Sequence, residues 1–326
     1  MLTKPVLFLI FNRLDTTKQV FEAIRQAKPP RLYIACDGPR QNKEGEAEKV
    51  QSVRDWVLAN INWEVEVKTL FRDENLGCGK AVSGAITWFF DNEEDGIILE
   101  DDCLPHPTFF SYCEELLDKY KDNEQIMHIG SNHFLDFKYG NASYYFATIE
   151  HCWGWASWRR AWTKFDLFLE KYPLPVTQEN LFNFYQKDIF RKYWGKIYEG
   201  VKVDIFDSWA YPWTLSIIAN NGLCINPNVN LISNIGFGEE GTHTFGEDNP
   251  LANVPTYSLE NIIHPDEIKR SQYIDEKIME VHFGINDDNE QRIIQLEKEV
   301  NRFKRVFFLL KPIYRMAKKI KNLFRK

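Results

Sequence analysis

Gly96-Ile97-Ile98-Leu99-Glu100-Asp101-Asp102-Cys103-Leu104-Pro105 is the stretch that decides how this chain is read. Ile97 to Leu99 is a short apolar run of the kind that forms a buried strand. Three consecutive carboxylates follow it, and prolines at 105 and 107 turn the chain away. Adjacent acids at the tip of a buried strand repel one another and resist desolvation. A cation relieves both costs. Hard divalent ions such as Mg²⁺ and Mn²⁺ take carboxylate oxygen and share it with phosphates. The stretch therefore suits a metal-bridged diphosphate site at a strand end; its plain alternative is a solvated acidic turn.

Working back from this stretch, the first hundred residues alternate strand and helix. Pro5 to Phe11 is a continuous apolar run, the pattern of a buried parallel strand. Asp15-Thr16-Thr17 is expected to cap a helix with Val20, Phe21 and Ile24 inward, stopped by Pro29-Pro30. Arg31 to Cys36 reads as a second strand, residues 43–60 as a charged helix, and Val65 to Phe71 as a third strand. Gly79 to Phe90 reads as a helix leading into the strand at 96–99. This order implies an α/β fold with a mainly parallel central sheet. Such sheets bind ligands beyond the carboxyl ends of their strands. Those ends carry Asn12-Arg13, Asp37-Gly38, Arg72-Asp73-Glu74-Asn75 and Glu100-Asp101-Asp102.

Working forward, the pattern loosens. Thr108 to Tyr120 is an amphipathic helix, and Ile126 to Ile129 and Tyr144 to Thr148 are expected strands. His151 to Trp162 reads as an aromatic loop entering a helix. Leu181 to Tyr198 and Asp207 to Asn220 read as two further helices. Residues 1–265 are expected to form one domain, built of a regular half at 1–105 and a less regular half at 106–265. Residues 266–326 are expected to form a helical extension ending in a basic amphipathic tail.

Composition sets limits. The chain has 326 residues, 44% of them apolar, enough for a sizeable core. Aromatic residues make up 15%, which serves a sugar site or simply a thick core. Net charge is −7, against nucleic acid as the main partner. Residues 301–326 hold ten Lys or Arg and no acid, so 30 of the 40 basic side chains and all 47 acids lie before them, −17 against +10. Phe303, Val306, Phe307, Leu310, Ile313 and Met316 punctuate that basic end at spacings of mostly three and four. The pattern suits an interfacial helix on an anionic membrane surface, reached from the cytoplasmic side; a helix packed on the body or a basic loose end is the other reading. The six cysteines form no CxxC pair and suit a reducing compartment. No signal peptide or transmembrane run is expected.

Seven strings in order carry a resemblance: Pro5-Val6-Leu7-Phe8-Leu9-Ile10-Phe11-Asn12-Arg13, Cys36-Asp37-Gly38-Pro39-Arg40, Arg72-x-x-Asn75-Leu76-Gly77-x-Gly79-Lys80, Leu99-Glu100-Asp101-Asp102, Gly154-Trp155-Ala156-Ser157-Trp158-Arg159, Phe206-Asp207-Ser208-Trp209 and Gly241-Thr242-His243. Together they resemble the GT-A fold nucleotide-sugar glycosyltransferases, especially the N-acetylglucosaminyltransferase I type and related small bacterial enzymes. The resemblance implies a GT-A-like domain with a nucleotide-binding half at 1–105 and an acceptor half at 106–265, a UDP-sugar donor, Mn²⁺ or Mg²⁺ as cofactor, and a glycan or lipid-linked glycan acceptor in cell-surface polysaccharide assembly. It implies that Arg13 contacts the nucleotide and Asp37 the base, that Asp101 meets ribose and Asp102 the metal, and that Asp207 is the catalytic base.

Each role has chemical sense and a structural rival. Arg13 can fork onto phosphate, or form a surface ion pair. Asp37 can accept a base N–H, or cap the Asp-Gly-Pro turn. Gly77, Gly79 and Lys80 can cradle a phosphate, with Arg72 and Asn75 alongside, although the spacing is not that of a P-loop; a helix start that needs glycine explains them equally. Glu100 completes the acid triplet. His243 can complete a Mn²⁺ shell, or contact diphosphate from its loop. Asp207 can take a proton from an acceptor hydroxyl, or cap the helix that follows; Glu239 and Glu240 stand in reserve. Trp153, Trp155, Trp158 and Trp162 can wall a sugar site, or pack in the core, and Arg159 beside them can reach the diphosphate. Two other classes stay open: a nucleotidyltransferase making the nucleotide-sugar, and a carbohydrate-binding protein without catalysis.

Overall fold

Val6–Ile10 (β1) is buried at every position, and strands lie on both sides of it. The computed structural model describes residues 2–237, 249–286 and 290–305. In it β1 pairs in parallel with Arg31–Cys36 (β2) and with Asp95–Glu100 (β4), and β2 with Glu66–Phe71 (β3). Three helices connect them: Leu14–Ala27 (α1), Glu46–Ala59 (α2) and Cys78–Asn92 (α3). The register aligns the strand ends. Ile10 pairs with Cys36, Cys36 with Phe71 and Leu9 with Glu100, so the polar residues after each strand share one edge.

Beyond β4 the sheet changes character. After Cys103–Pro105 (β5) and Thr108–Lys119 (α4) come Ile126–Ile129 (β6), Tyr144–Ala147 (β7) and Trp155–Trp158 (β8). Then follow Arg159–Trp162 (α5), Leu174–Phe184 (α6), Asp188–Lys202 (α7), Ala210–Ala219 (α8), Leu223–Pro227 (β9), Ile232–Asn234 (β10) and Gln272–Val281 (α9). Residues 291–305 are helical (α10). The eight-stranded sheet has the order β3-β2-β1-β4-β8-β6-β9-β7, and β10 pairs with β5 apart from it. β8 runs antiparallel to both β4 and β6, so two parallel blocks meet across a reversed strand.

Four local expectations are corrected. Trp155 to Trp158 is a fully buried strand and no loop, because β4 offers it an open edge. Residues 181–198 are two helices: Tyr185 and Lys187 are extended, and Arg191 (3.0 Å) and Arg270 (2.7 Å) donate to the carbonyls of Tyr185 and Phe184 at the break. α1 is not capped by Asp15; Arg13 holds the cap position, and the Thr17 hydroxyl donates back to its carbonyl (2.6 Å). The last helix before β9 starts at Ala210, because Asp207 is engaged elsewhere.

Apolar packing covers both faces. Val20, Phe21 and Ile24 of α1 join α2 and α4 against one face, while α3, α8, Trp155, Trp162 and Trp209 cover the other. A third cluster gathers α6, α7 and α9 with Ile293 of α10. α9 is tied in by Asp275, whose buried carboxylate accepts the Thr148 N–H (2.7 Å) and hydroxyl (3.0 Å) and pairs with Arg270 (2.9 Å). No described helix is long and apolar enough to cross a membrane.

Candidate functional site

The aligned strand ends open into a cavity of about 320 Å³. Arg13, Asp37, Arg72, Asn75, Glu100, Asp101, Asp102 and Asp207 all line it, so one edge of the sheet gathers eight of the residues singled out from sequence.

The acid triplet sits at its floor. Arg13 donates to Asp101 Oδ1 (2.5 Å) and Asp102 Oδ2 (2.9 Å). Burial works to lower the Arg13 pKa, but these two carboxylates outweigh it and raise it. One cation does not neutralise three acids. Burial, then Asp102 and Asp101, push Glu100 up to about 8. Burial likewise pushes Asp101 up to about 6 against the pull of Arg13, and Asp101 Oδ2 is buried without a hydrogen-bond partner. Asp102 is covered from above: the Ile235 N–H donates to its carbonyl (2.9 Å), and a side chain at Gly236 would collide with its carboxylate and with Arg13.

This donor set fits a divalent cation in one particular way. The described residues contain no group of three His, Cys, Asp or Glu able to hold a metal. The surplus negative charge and the orphaned oxygen of Asp101 suit an ion that brings most of its shell with it, as waters and phosphate oxygens. His243, Glu239 and Glu240 lie outside the described residues.

The start of α3 forms another part of the wall, and there two carboxylates hold four successive backbone N–H groups. Asp37, at the tip of β2, accepts from Leu76 (2.9 Å) and Gly77 (3.2 Å). Asp207 accepts from Cys78 (3.0 Å) and Gly79 (2.7 Å). Helix N-termini leave such donors unpaired, and acids there also meet the positive end of the helix dipole. The phosphate cradle expected at Gly77–Gly79 is therefore filled by protein carboxylates, and Asp207 caps α3 in place of its own following helix. Burial raises the Asp37 pKa despite these bonds. Asn75 donates to the Gly38 carbonyl (2.8 Å) and braces the same turn. The Arg72 guanidinium lies near Gly84 of α3, lines the cavity, and pulls against burial at Asp37.

Five side chains expected at the site go elsewhere. Arg159 donates to the Phe90 (2.5 Å) and Glu93 (3.1 Å) carbonyls, at the far end of α3, because antiparallel β8 carries it away from Glu100 toward Asp95. Trp155 is buried between His128 (4.9 Å between centroids) and Trp209 (5.3 Å); Trp209, with Trp153, forms the cavity wall in its place. Trp158 and Trp162 are core residues. Lys80 lines a separate cavity.

Sequence reasoning passed over Phe11, Arg40 and Gly236. Arg40 lies 5.7 Å from the Phe11 ring centroid and is paired with Glu46, so a ring and a guanidinium plane flank the cavity beside Asp37. Their place just after β1 and β2 was the available signal. Arg54 bridges the ends of β2 and β3, donating to the carbonyls of Asp37 (3.0 Å) and Arg72 (2.6 Å).

No family model and no curated protein matches the chain. Among solved structures it is similar to HddC from Yersinia pseudotuberculosis, at 12% identity and TM-score 0.30 over 52% of this chain and 80% of that one. A UDP-glucose pyrophosphorylase complexed with UDP-glucose gives 11% and 0.34 over 71% and 93%. The glycosyltransferase GlyE in Streptococcus pneumoniae TIGR4 gives 10% and 0.28 over 50% and 36%. Likenesses this slight carry no argument.

Proposed function

We propose that this chain transfers a sugar from a nucleotide-diphosphate donor, read as a UDP-sugar, to an acceptor hydroxyl. The observation that carries the reading is the pairing, across one cavity, of an incompletely neutralised acid triplet with a separate carboxylate, Asp207. Sugar transfer needs both parts: a place where the departing diphosphate is neutralised, and a base for the acceptor proton. Asp102 and Asp101 would hold Mn²⁺ or Mg²⁺, which when bound supplies positive charge to the leaving diphosphate. Phe11 and Arg40 offer faces for a base to stack on, and Asp37 an edge to accept its N–H. Arg72 adds a cation to the same cavity. Asp207 takes the acceptor proton as the acceptor oxygen bonds the anomeric carbon. The bond from that carbon to the diphosphate breaks, and the nucleoside diphosphate leaves with the electron pair.

The test is a panel of nucleotide-sugars incubated with Mn²⁺ and assayed for nucleoside diphosphate. Release from at least one donor is expected, falling by about a hundredfold or more in Asp207→Asn while donor binding persists. Pyrophosphate made from a sugar 1-phosphate and a nucleoside triphosphate would establish nucleotidyl transfer instead. Glycan binding with no turnover of any donor would establish a carbohydrate-binding protein.

A further inference from the structure

On the other side of the turn that opens α3 lies a second cavity, of about 260 Å³. Lys80, Leu167 and Phe206 line it and do not line the first. Gly77, Asp207 and Ser208 line both. Asp207 thus stands in a wall common to the two spaces. Each of its oxygens accepts one backbone N–H and keeps a lone pair for another partner. A base in that position can be met from the second space while the first is filled.

The lining indicates what the second space takes. Its charged side chains are Lys80, Asp204 and Asp207, two acids against one base, which disfavours a phosphate or carboxylate ligand. Phe206, Leu167 and Pro212 supply apolar surface between them. Alternating polar and apolar wall suits a sugar ring, whose hydroxyls project at the edge and whose C–H faces pack on apolar side chains. Lys80 is exposed and can donate to such hydroxyls.

We infer that the second cavity is the acceptor site and that the group it binds is an uncharged sugar residue, delivering a hydroxyl to Asp207 from the side away from the acid triplet. The direction of transfer in this inference rests on the donor reading above. The site itself is tested separately, with methyl glycosides of glucose, galactose, mannose, rhamnose and N-acetylglucosamine as probes in saturation-transfer difference NMR. At least one glycoside should receive saturation from the wild-type chain. Its signal should fall about fivefold or more in Leu167→Arg, which fills the space. If that variant does not fold, Lys80→Ala, at an exposed position, should weaken the same signal. Affinity for UDP with Mn²⁺, titrated in parallel, should be unchanged in either variant. The inference is overturned if no glycoside contacts the wild-type protein, or if contact is equal in wild type and folded variants. Failure of the wild-type protein to bind UDP would overturn the donor reading instead, and is seen in the titration alone.

Discussion

Replacing Gly77 with alanine should cost stability in two separable parts. Gly77 has φ +81° and ψ 164°, a region that residues with a Cβ avoid. Holding alanine there costs about 1–3 kcal/mol. The added Cβ would also stand 2.9 and 3.0 Å from the two Asp207 carboxylate oxygens, closer than contact allows, so the carboxylate must move off the N–H groups of Cys78 and Gly79. Hydrogen bonds to a charged group contribute about 1.5–3 kcal/mol each when well shielded; Asp207 is exposed, so we take about 1–2 kcal/mol for the pair. Urea denaturation followed by tryptophan fluorescence should therefore show a loss of about 2–5 kcal/mol. In an Asp207→Ala background the collision is gone, and the same substitution should cost only the backbone part, about 1–3 kcal/mol. Equal losses in the two backgrounds would refute the claim that Asp207 is seated on this turn. A loss below about 1 kcal/mol would refute the backbone argument as well.

Asp102→Ala should abolish Mn²⁺-dependent nucleotide binding while leaving far-UV circular dichroism unchanged, since Arg13 keeps its bond to Asp101; normal Mn²⁺-dependent binding by the folded variant would remove Asp102 from the metal site. Glu150 is buried against the Thr214 hydroxyl (2.5 Å), and burial pushes it up to about 8 from an ordinary 4.5. A raised carboxyl leaves stability whole below its unfolded pKa and drains it as pH rises through the folded value, here between pH 4.5 and about 8. Wild type should lose a few kcal/mol between about pH 5 and about pH 9, and Glu150→Gln should flatten that slope; parallel urea-midpoint profiles would contradict it. Deleting residues 302–326 should abolish salt-sensitive flotation with anionic liposomes, since ten basic side chains near such a surface contribute roughly 1 kcal/mol each at most. Equal flotation of both chains would refute a membrane role for the tail.

The first half of the fold was legible because its strands are short apolar runs separated by helices of ordinary length, and a parallel strand buried on both faces writes itself as such a run. The polar residues at the strand ends followed from that topology alone. What stayed hidden depends on contacts distant in sequence. Trp155 to Trp158 has the composition of a core loop as much as of a strand, and only the free edge of β4 decides between them. Once β8 is antiparallel, Arg159 is carried about 10 Å or more from the acid triplet, although Gly154 to Arg159 is continuous in sequence. Asp207 sits just ahead of a helix and looks like its cap, yet its partners lie 128 and 129 residues earlier. Lys80 is separated from Gly77 by less than one helical turn, and that rotation is enough to place it on another cavity.

The reversed strand has a consequence for how the chain is made. β1, β2, β3 and β4 can pair as soon as residues 6–100 have been synthesised, but β4 then has no neighbour on its outer side until Trp155 to Trp158 emerges about 55 residues later. At roughly 5–20 residues per second a ribosome leaves that edge bare for about 3–11 s. An unpaired edge next to Ile97, Ile98 and Leu99 is a template for strands of other chains, and nothing in those three residues repels them. Trp155 to Trp158 therefore acts late in synthesis as a closing strip for the nascent sheet. A chain that stops before it carries its stickiest backbone uncovered.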